Sequence, residues 1–255
     1  MIPYSIIIPA RYSSTRLPGK ILADINGKPM IQHVYERCQL SQAKDIVVAT
    51  DDDRIFFAVQ DFGGKAVMTS ASHQSGTDRL QEVTDKLGLA WDDVVVNVQG
   101  DEPLIPPAVI DQVAQNLADD ENVNVATLCE KMTTLEHFID PNMVKVVFDQ
   151  NNHALYFSRA PIPWPRDNFT ALESVANTQL DVVNAYRHIG IYAYRVTLLN
   201  KFVQWPMAPL ETVEKLEQLR VMWNGQAIHV AEASEAVPAG VDTQEDLDRI
   251  KKLIN

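Results

Sequence analysis

Apolar residues in this chain alternate between short β-branched runs and stretches where they recur every three or four positions. Tyr4 to Ile8 is such a run, ended by Pro9, and reads as a buried strand. Lys28 to Leu40 places Met30, Ile31, Val34 and Cys38 at helical spacing, and Ile46 to Ala49 follows as a second strand. The alternation continues with a helix from Ile55 to Phe62, a strand from Ala66 to Met68, and a helix from Asp78 to Leu87 closed by Gly88. Val94 to Val98 is the strongest buried-strand signal and stops at Gln99-Gly100-Asp101. A helix from Pro107 to Leu117 and a strand from Val123 to Leu128 complete this part.

The second half is less regular. Val144 to Phe148 and Ala154 to Phe157 flank a polar Asp149–Asn152 turn and predict a hairpin. A proline-rich stretch from Pro161 to Asp167 precedes a strand from Ile189 to Tyr194 and a helix from Pro209 to Asn224. Val230 opens a last strand. Thr243, with Asp246 three residues on, caps a helix to Leu253. Strands alternating with helices predict an α/β fold whose mostly parallel sheet is flanked by helices, with ligands at the carboxyl ends of the strands. The loops beginning at Pro9, Thr50 and Gln99 are therefore the places to look for chemistry. The chain reads as one domain, 1–255, with one main core and an appendage.

Composition narrows the function. With 255 residues, 46% of them hydrophobic, the chain is long enough for a large core. Its 22 Lys+Arg against 34 Asp+Glu give a net charge of −12, which disfavours a nucleic-acid partner or an anionic membrane surface but leaves room for a local cationic cleft. Cys38 and Cys129 have no CxxC spacing, so neither a disulfide framework nor a zinc site is indicated, and a cytoplasmic location is expected. The opening MIPYSIIIPAR does not read as a signal peptide, and no apolar run reaches membrane-spanning length.

Four loops hold candidate chemistry. Pro9 to Lys20 carries Arg11, Arg16 and Lys20 directly after a buried strand, a cation set able to wrap a triphosphate or to stand as a solvated basic loop. It is neither a Walker A loop nor a GxGxxG fingerprint. Asp101, just past the end of Val94–Val98, is placed to hold Mg²⁺ or to form an ordinary strand-end turn, with Gly100 allowing close backbone approach. Asp242 is a possible second carboxylate or simply the residue before a capped helix. Ser72 to Arg79 opens a helix where either Ser75, Gly76 and Thr77 face a ligand, with Arg79 adding charge, or Thr77 and Asp78 only cap the helix. His73 and His188 lack metal-ligand spacing, and no GxSxG elbow is present.

Taken together, Ile8-Pro9-Ala10-Arg11-Tyr12-x-x-Thr15-Arg16-Leu17-Pro18-Gly19-Lys20, His73-Gln74-Ser75-Gly76-Thr77, Val96-Asn97-Val98-Gln99-Gly100-Asp101-Glu102-Pro103 and Gly240-Val241-Asp242-Thr243 closely resemble the 3-deoxy-manno-octulosonate (Kdo) cytidylyltransferase family of lipopolysaccharide biosynthesis. Tyr156-Phe157-Ser158-Arg159, Arg187-His188-x-Gly190-Ile191-Tyr192 and Pro209-Leu210-Glu211 leading to Leu216-Glu217-Gln218-Leu219-Arg220 extend the resemblance along nearly the whole chain. It weakens from Phe169 to Tyr186.

The resemblance implies a Rossmann-like nucleotidyltransferase with a smaller inserted β-rich part, 140–205, for dimerisation and sugar binding, a homodimer, and the conversion of CTP and Kdo to CMP-Kdo and pyrophosphate with Mg²⁺. It further implies Arg11, Arg16 and Lys20 at the triphosphate, Ala10, Ser75, Gly76 and Gln99 around the cytidine, and Asp101 and Asp242 as metal carboxylates. Gln99, Arg159, His188, Tyr192 and Glu211 would face the sugar acid, with Lys20, Arg11, Asp101 and Asp242 carrying the chemistry. The 8-amino analogue of Kdo, another nonulosonic acid, or a silent nucleotide-binding regulator are the competing readings.

Overall fold

The computed structural model describes residues 2–14, 16–73, 75–166 and 184–254; most of the stretch where the resemblance weakens lies outside them. In chain order the elements are β1 (Tyr4–Ala10), the short β2 (Asp24–Ile25) and β3 (Lys28–Pro29), α1 (Met30–Gln39), β4 (Asp45–Thr50), α2 (Asp53–Asp61), β5 (Ala66–Met68), α3 (Gly76–Lys86), β6 (Val94–Asn97) and α4 (Pro107–Asp119). Then follow β7 (Val125–Lys131), α5 (Leu135–Ile139), β8 (Lys145–Phe148), β9 (Ala154–Ser158), β10 (Tyr186–Arg195), α6 (Val196–Phe202), α7 (Pro209–Glu214), α8 (Gln218–Trp223), β11 (His229–Glu232) and α9 (Gln244–Leu253).

The main sheet runs β11-β7-β10-β6-β1-β4-β5, and the β8–β9 hairpin joins it through β10. Strand alternation divides the core in two. Tyr4, Ile6, Ile8, Val94 and Val96 pack on one face beneath α1, α2 and α4, while Ile7, Val95, Tyr192 and Tyr194 pack on the other beneath α3, α6 and α8. Both faces being covered explains why β1 and β6 are continuous apolar runs. The order of the parallel strands β6-β1-β4-β5 reverses between β1 and β6. This is the topological switch point at which α/β sheets form a crevice.

The structure departs from the sequence expectation in three places. The strand around Ile189–Tyr194 is longer than the apolar pattern suggests and lies antiparallel to β6, β7 and β8, so the sheet is mixed. The single helix expected over Pro209–Asn224 is two helices. Lys215, between them, adopts φ 55°, a left-handed conformation that ends α7. α6, too short for a clear period, links β10 to the back of the sheet, where Leu198, Leu199 and Phe202 are buried.

Candidate active site

The loop after β1 is built to return on itself. Gly19, at φ 68°, donates its N–H to the Tyr12 carbonyl, and Lys20 donates to Leu17. This turns the Lys20 side chain back toward the switch point, where only 13% of it remains exposed. Gly100, after β6, lies so close to β1 that a Cβ there would sit 3.1 Å from the Pro9 carbonyl oxygen. The approach brings the Asp101 turn against the first loop.

The chain end completes the cluster. Val241 donates its N–H to the Asp101 carbonyl at 2.9 Å. Asp246 accepts from the backbone N–H of both Asp242 and Thr243 while Thr243 caps α9, so the helix start fixes the Asp242 backbone. Lys20 Nζ consequently lies 2.5 Å from Asp101 Oδ2 and 3.0 Å from Asp242 Oδ1, and Arg16 reaches Asp242 at 2.9 Å. Burial disfavours the Lys20 charge, but the two carboxylates outweigh it and hold the ammonium above its ordinary pKa. Behind them, burial pushes the Glu102 carboxyl up to about 8, with Asp101 adding to the shift and Arg187 opposing it.

The Ser72–Arg79 loop forms the opposite rim. Arg11 donates to the carbonyls of His73 at 2.8 Å and Ser75 at 3.1 Å, joining the first loop to the start of α3. Ser75 caps that helix in a capping box with Asp78, leaving Gly76 as its first residue. Arg11, Ser13, Lys20, Gly76, Gln99 and Asp101 line a cavity of about 190 Å³, and the buried Ala10 ends the strand beside it.

A second, smaller cavity of about 80 Å³ lies on the far side of Gln99, among Thr77, Asn97, Tyr192, Glu217 and Gln218. Asn97 Oδ1, the Tyr192 hydroxyl, Glu217 Oε1 and Gln218 Nε2 are all buried there without a hydrogen-bond partner. Such atoms each cost on the order of 1–3 kcal/mol unless something polar satisfies them. Burial also raises the Glu217 carboxyl above its ordinary pKa, although Ser75, Thr77 and Arg220 oppose the shift. The cavity is therefore shaped and furnished for a small, oxygen-rich group.

The structure thus brings together Arg11, Arg16, Lys20, Ser75, Gly76, Gln99, Asp101 and Asp242, with Tyr192 at the adjoining cavity. His188 packs against Tyr192, ring centroids 5.3 Å apart, and burial lowers its pKa to about 3, keeping it neutral. Arg159 and Glu211 take other positions. Arg159 Nε and Nη1 donate to the carbonyls of Glu214 and Pro141. Glu211 lines a neighbouring groove, but its carboxylate is bidentate on Arg220, at 2.8 and 2.6 Å, and accepts the Ala208 N–H. Asn97, Glu217 and Gln218 stand inside motifs that carry the resemblance, but the sequence reading gave them no role. Glu217-Gln218 lay inside an expected continuous helix, and only the break at Lys215 reveals them as the start of a separate one.

A cation-bearing loop, paired carboxylates and a polar pocket at the switch point of an α/β sheet define a nucleotide-using enzyme. The cytidylyltransferase family model matches residues 5–228, so the chain belongs to the cytidylyltransferase family. It is 64% identical over 251 residues to the 3-deoxy-manno-octulosonate cytidylyltransferase of Cellvibrio japonicus, covering 98% of both chains, and 59% identical to that of Saccharophagus degradans, covering 97% of both. A solved CMP:2-keto-3-deoxy-manno-octonic acid synthetase complexed with CTP is 45% identical, with a TM-score of 0.88 over 99% of this chain and 98% of the other. A Leptospira borgpetersenii cytidylyltransferase at 18% identity and TM-score 0.63 shares the fold. Within its family the chain stands with the 3-deoxy-manno-octulosonate cytidylyltransferases.

Proposed function

We propose that this protein activates 3-deoxy-manno-octulosonate with CTP, forming CMP-Kdo and pyrophosphate. The observation that carries the reading is Lys20 held between Asp101 and Asp242 in the cavity it lines with Arg11, Gly76 and Gln99, with the unpaired polar cavity alongside. The anomeric oxygen of the sugar acid attacks the α-phosphorus of CTP, the bond from that phosphorus to the bridging oxygen breaks, and the hydroxyl proton leaves. Arg11, Arg16 and Lys20 draw the triphosphate in, and Lys20 and Arg11 offset the charge that moves toward the leaving pyrophosphate. The start of α3 at Ser75 and Gly76, with Ala10 and Gln99, frames the cytidine. The cavity of Asn97, Tyr192, Glu217 and Gln218 receives hydroxyl or carboxyl oxygens of the sugar acid, with His188 and Gln99 beside it.

The donor chemistry fits Mg²⁺. Asp101 Oδ1 and Asp242 Oδ2 have no hydrogen-bond partner among the described residues, and the carboxylate side chains are 27% and 45% exposed. Among the described residues there is no group of three or more His, Cys, Asp or Glu arranged to hold a metal. Two carboxylates, with phosphate and water supplying the rest, is the manner in which Mg²⁺ is usually held. When bound there it would neutralise phosphate charge and lower the pKa of the attacking hydroxyl.

A homodimer is part of the same proposal: Leu155 on the outer strand β9, with Leu210 and Val213 on α7, leaves exposed apolar surface that a second copy would cover. Among the described residues no helix is long and apolar enough to cross a membrane. The deciding experiment is pyrophosphate release from CTP and Mg²⁺ with and without Kdo. Release that depends on Kdo is expected. Release only with its 8-amino analogue or another nonulosonic acid would reassign the sugar, and none with any sugar acid would overturn the enzyme reading.

A further inference from the structure

We propose that Thr127, a buried residue of β7, is a positioning residue that sets the geometry of the sugar-acid pocket. The inference rests on the sugar-binding reading given above. β10 is irregular: its register against β7 steps from Ile189↔Leu128 to Tyr192↔Thr127. β10 advances three residues while β7 advances one, so Gly190 and Ile191 bulge out of the ladder.

The bulge changes which side chains meet. His188 and Tyr192 are four residues apart, and an extended strand would separate them by about 13 Å. Their ring centroids are instead 5.3 Å apart. At the apex, the Gly190 carbonyl accepts a hydrogen bond from Gln99 Nε2 at 3.4 Å, which turns Gln99 Oε1 to the other side as an acceptor. One bulge therefore places His188, Tyr192 and the Gln99 amide, all beside the substrate cleft.

Thr127 holds that bulge from within the protein. Its side chain is fully buried, and its Oγ1 lies 2.7 Å from the Ile191 carbonyl, 3.1 Å from the Ile189 carbonyl and 3.0 Å from His188 Nε2. A hydroxyl has one proton, and here it is shared between the two flanking carbonyls, the shorter bond being to Ile191. It can meet His188 only as an acceptor, so His188 carries its proton on Nε2 and leaves Nδ1 bare. A valine at 127 would have the same shape and none of these bonds.

The test compares Thr127→Val and Thr127→Ser with the wild type. Thr127→Val is expected to raise the KM for Kdo about tenfold or more, as loss of a hydrogen-bonded anchor does, with the KM for CTP nearly unchanged. Thr127→Ser, which restores the hydroxyl, is expected to recover the wild-type value. Nitrogen NMR of the wild-type ring is expected to show His188 as the Nε2–H tautomer without any substrate present. An unchanged Kdo KM in Thr127→Val, or parallel rises in both KM values that serine does not repair, would overturn the proposal. So would the Nδ1–H tautomer in the wild type, a readout available even if the valine variant does not fold. If the wild type does not use Kdo at all, it is the functional reading that fails, while the NMR result still decides whether Thr127 fixes the bulge.

Discussion

Lys20 ties the site together, its one ammonium donating to the Asp101 and Asp242 carboxylates and to the Val241 carbonyl. Lys20→Ala is expected to lower kcat by about two powers of ten, on the order of 3 kcal/mol of transition-state stabilisation, with a smaller change in the KM for CTP. Steady-state kinetics separates the two, and a change confined to KM would reduce Lys20 to a binding role. His188 supplies a pH prediction. Its folded pKa, about 3 because of burial and then Arg187, lies below the ordinary 6.5. Between those values the unfolded chain holds a proton that the folded one does not, so this group's contribution to stability is lost as pH falls from about 6.5 toward about 3. Urea denaturation across that range, compared with His188→Gln, should show a flatter profile in the variant.

Among elements, the helix starts and the broken helix carry most of the site's precision. Thr243→Ala removes the cap of α9 and is expected to cost about 1 kcal/mol. Because Asp246 also holds the Asp242 N–H, activity should fall further than stability does. Calorimetry and turnover measured on the same preparation provide the check. Glu211→Ala is expected to destabilise the fold by about 3–5 kcal/mol, since it leaves Arg220 charged and buried. A selective rise in the KM for Kdo, with no loss of melting temperature, would instead give Glu211 the sugar contact that the resemblance implied.

These same elements show what the sequence could disclose. The runs Tyr4–Ile8 and Val94–Val98 were legible because both of their faces are covered, and the Thr243-Asp246 cap because its partners are local. That Arg11, Lys20 and Asp101 could meet was also legible, since their loops follow β1 and β6 directly. The antiparallel sense of β10, its bulge and the unpaired cavity atoms were not. They depend on pairings between distant strands and on a left-handed Lys215, for which neither apolar period nor residue type gives a signal.

At the scale of the molecule, the cleft joins loops from β1, β6, α3 and the start of α9, so ligand binding should stabilise the whole fold. CTP with Mg²⁺ at about one hundred times its Kd is expected to add about 2.7 kcal/mol, which for a chain of this size is a rise in Tm of roughly 5–10 °C. Differential scanning fluorimetry should register it, and EDTA should remove most of it. The net charge of −12 makes the local cations more important, because away from the cleft the molecule repels both substrates.

One carboxylate of the pair hangs from a separate small patch. Val241, Leu247 and Ile250 pack with Ile25 and Met30 in an apolar cluster distinct from the two main cores. A latch of that kind can open by itself. In mild urea, catalysis should therefore disappear while the far-ultraviolet circular dichroism of the sheet and its covering helices is largely intact. The molecule would lose its function by unfastening at one corner before it melts.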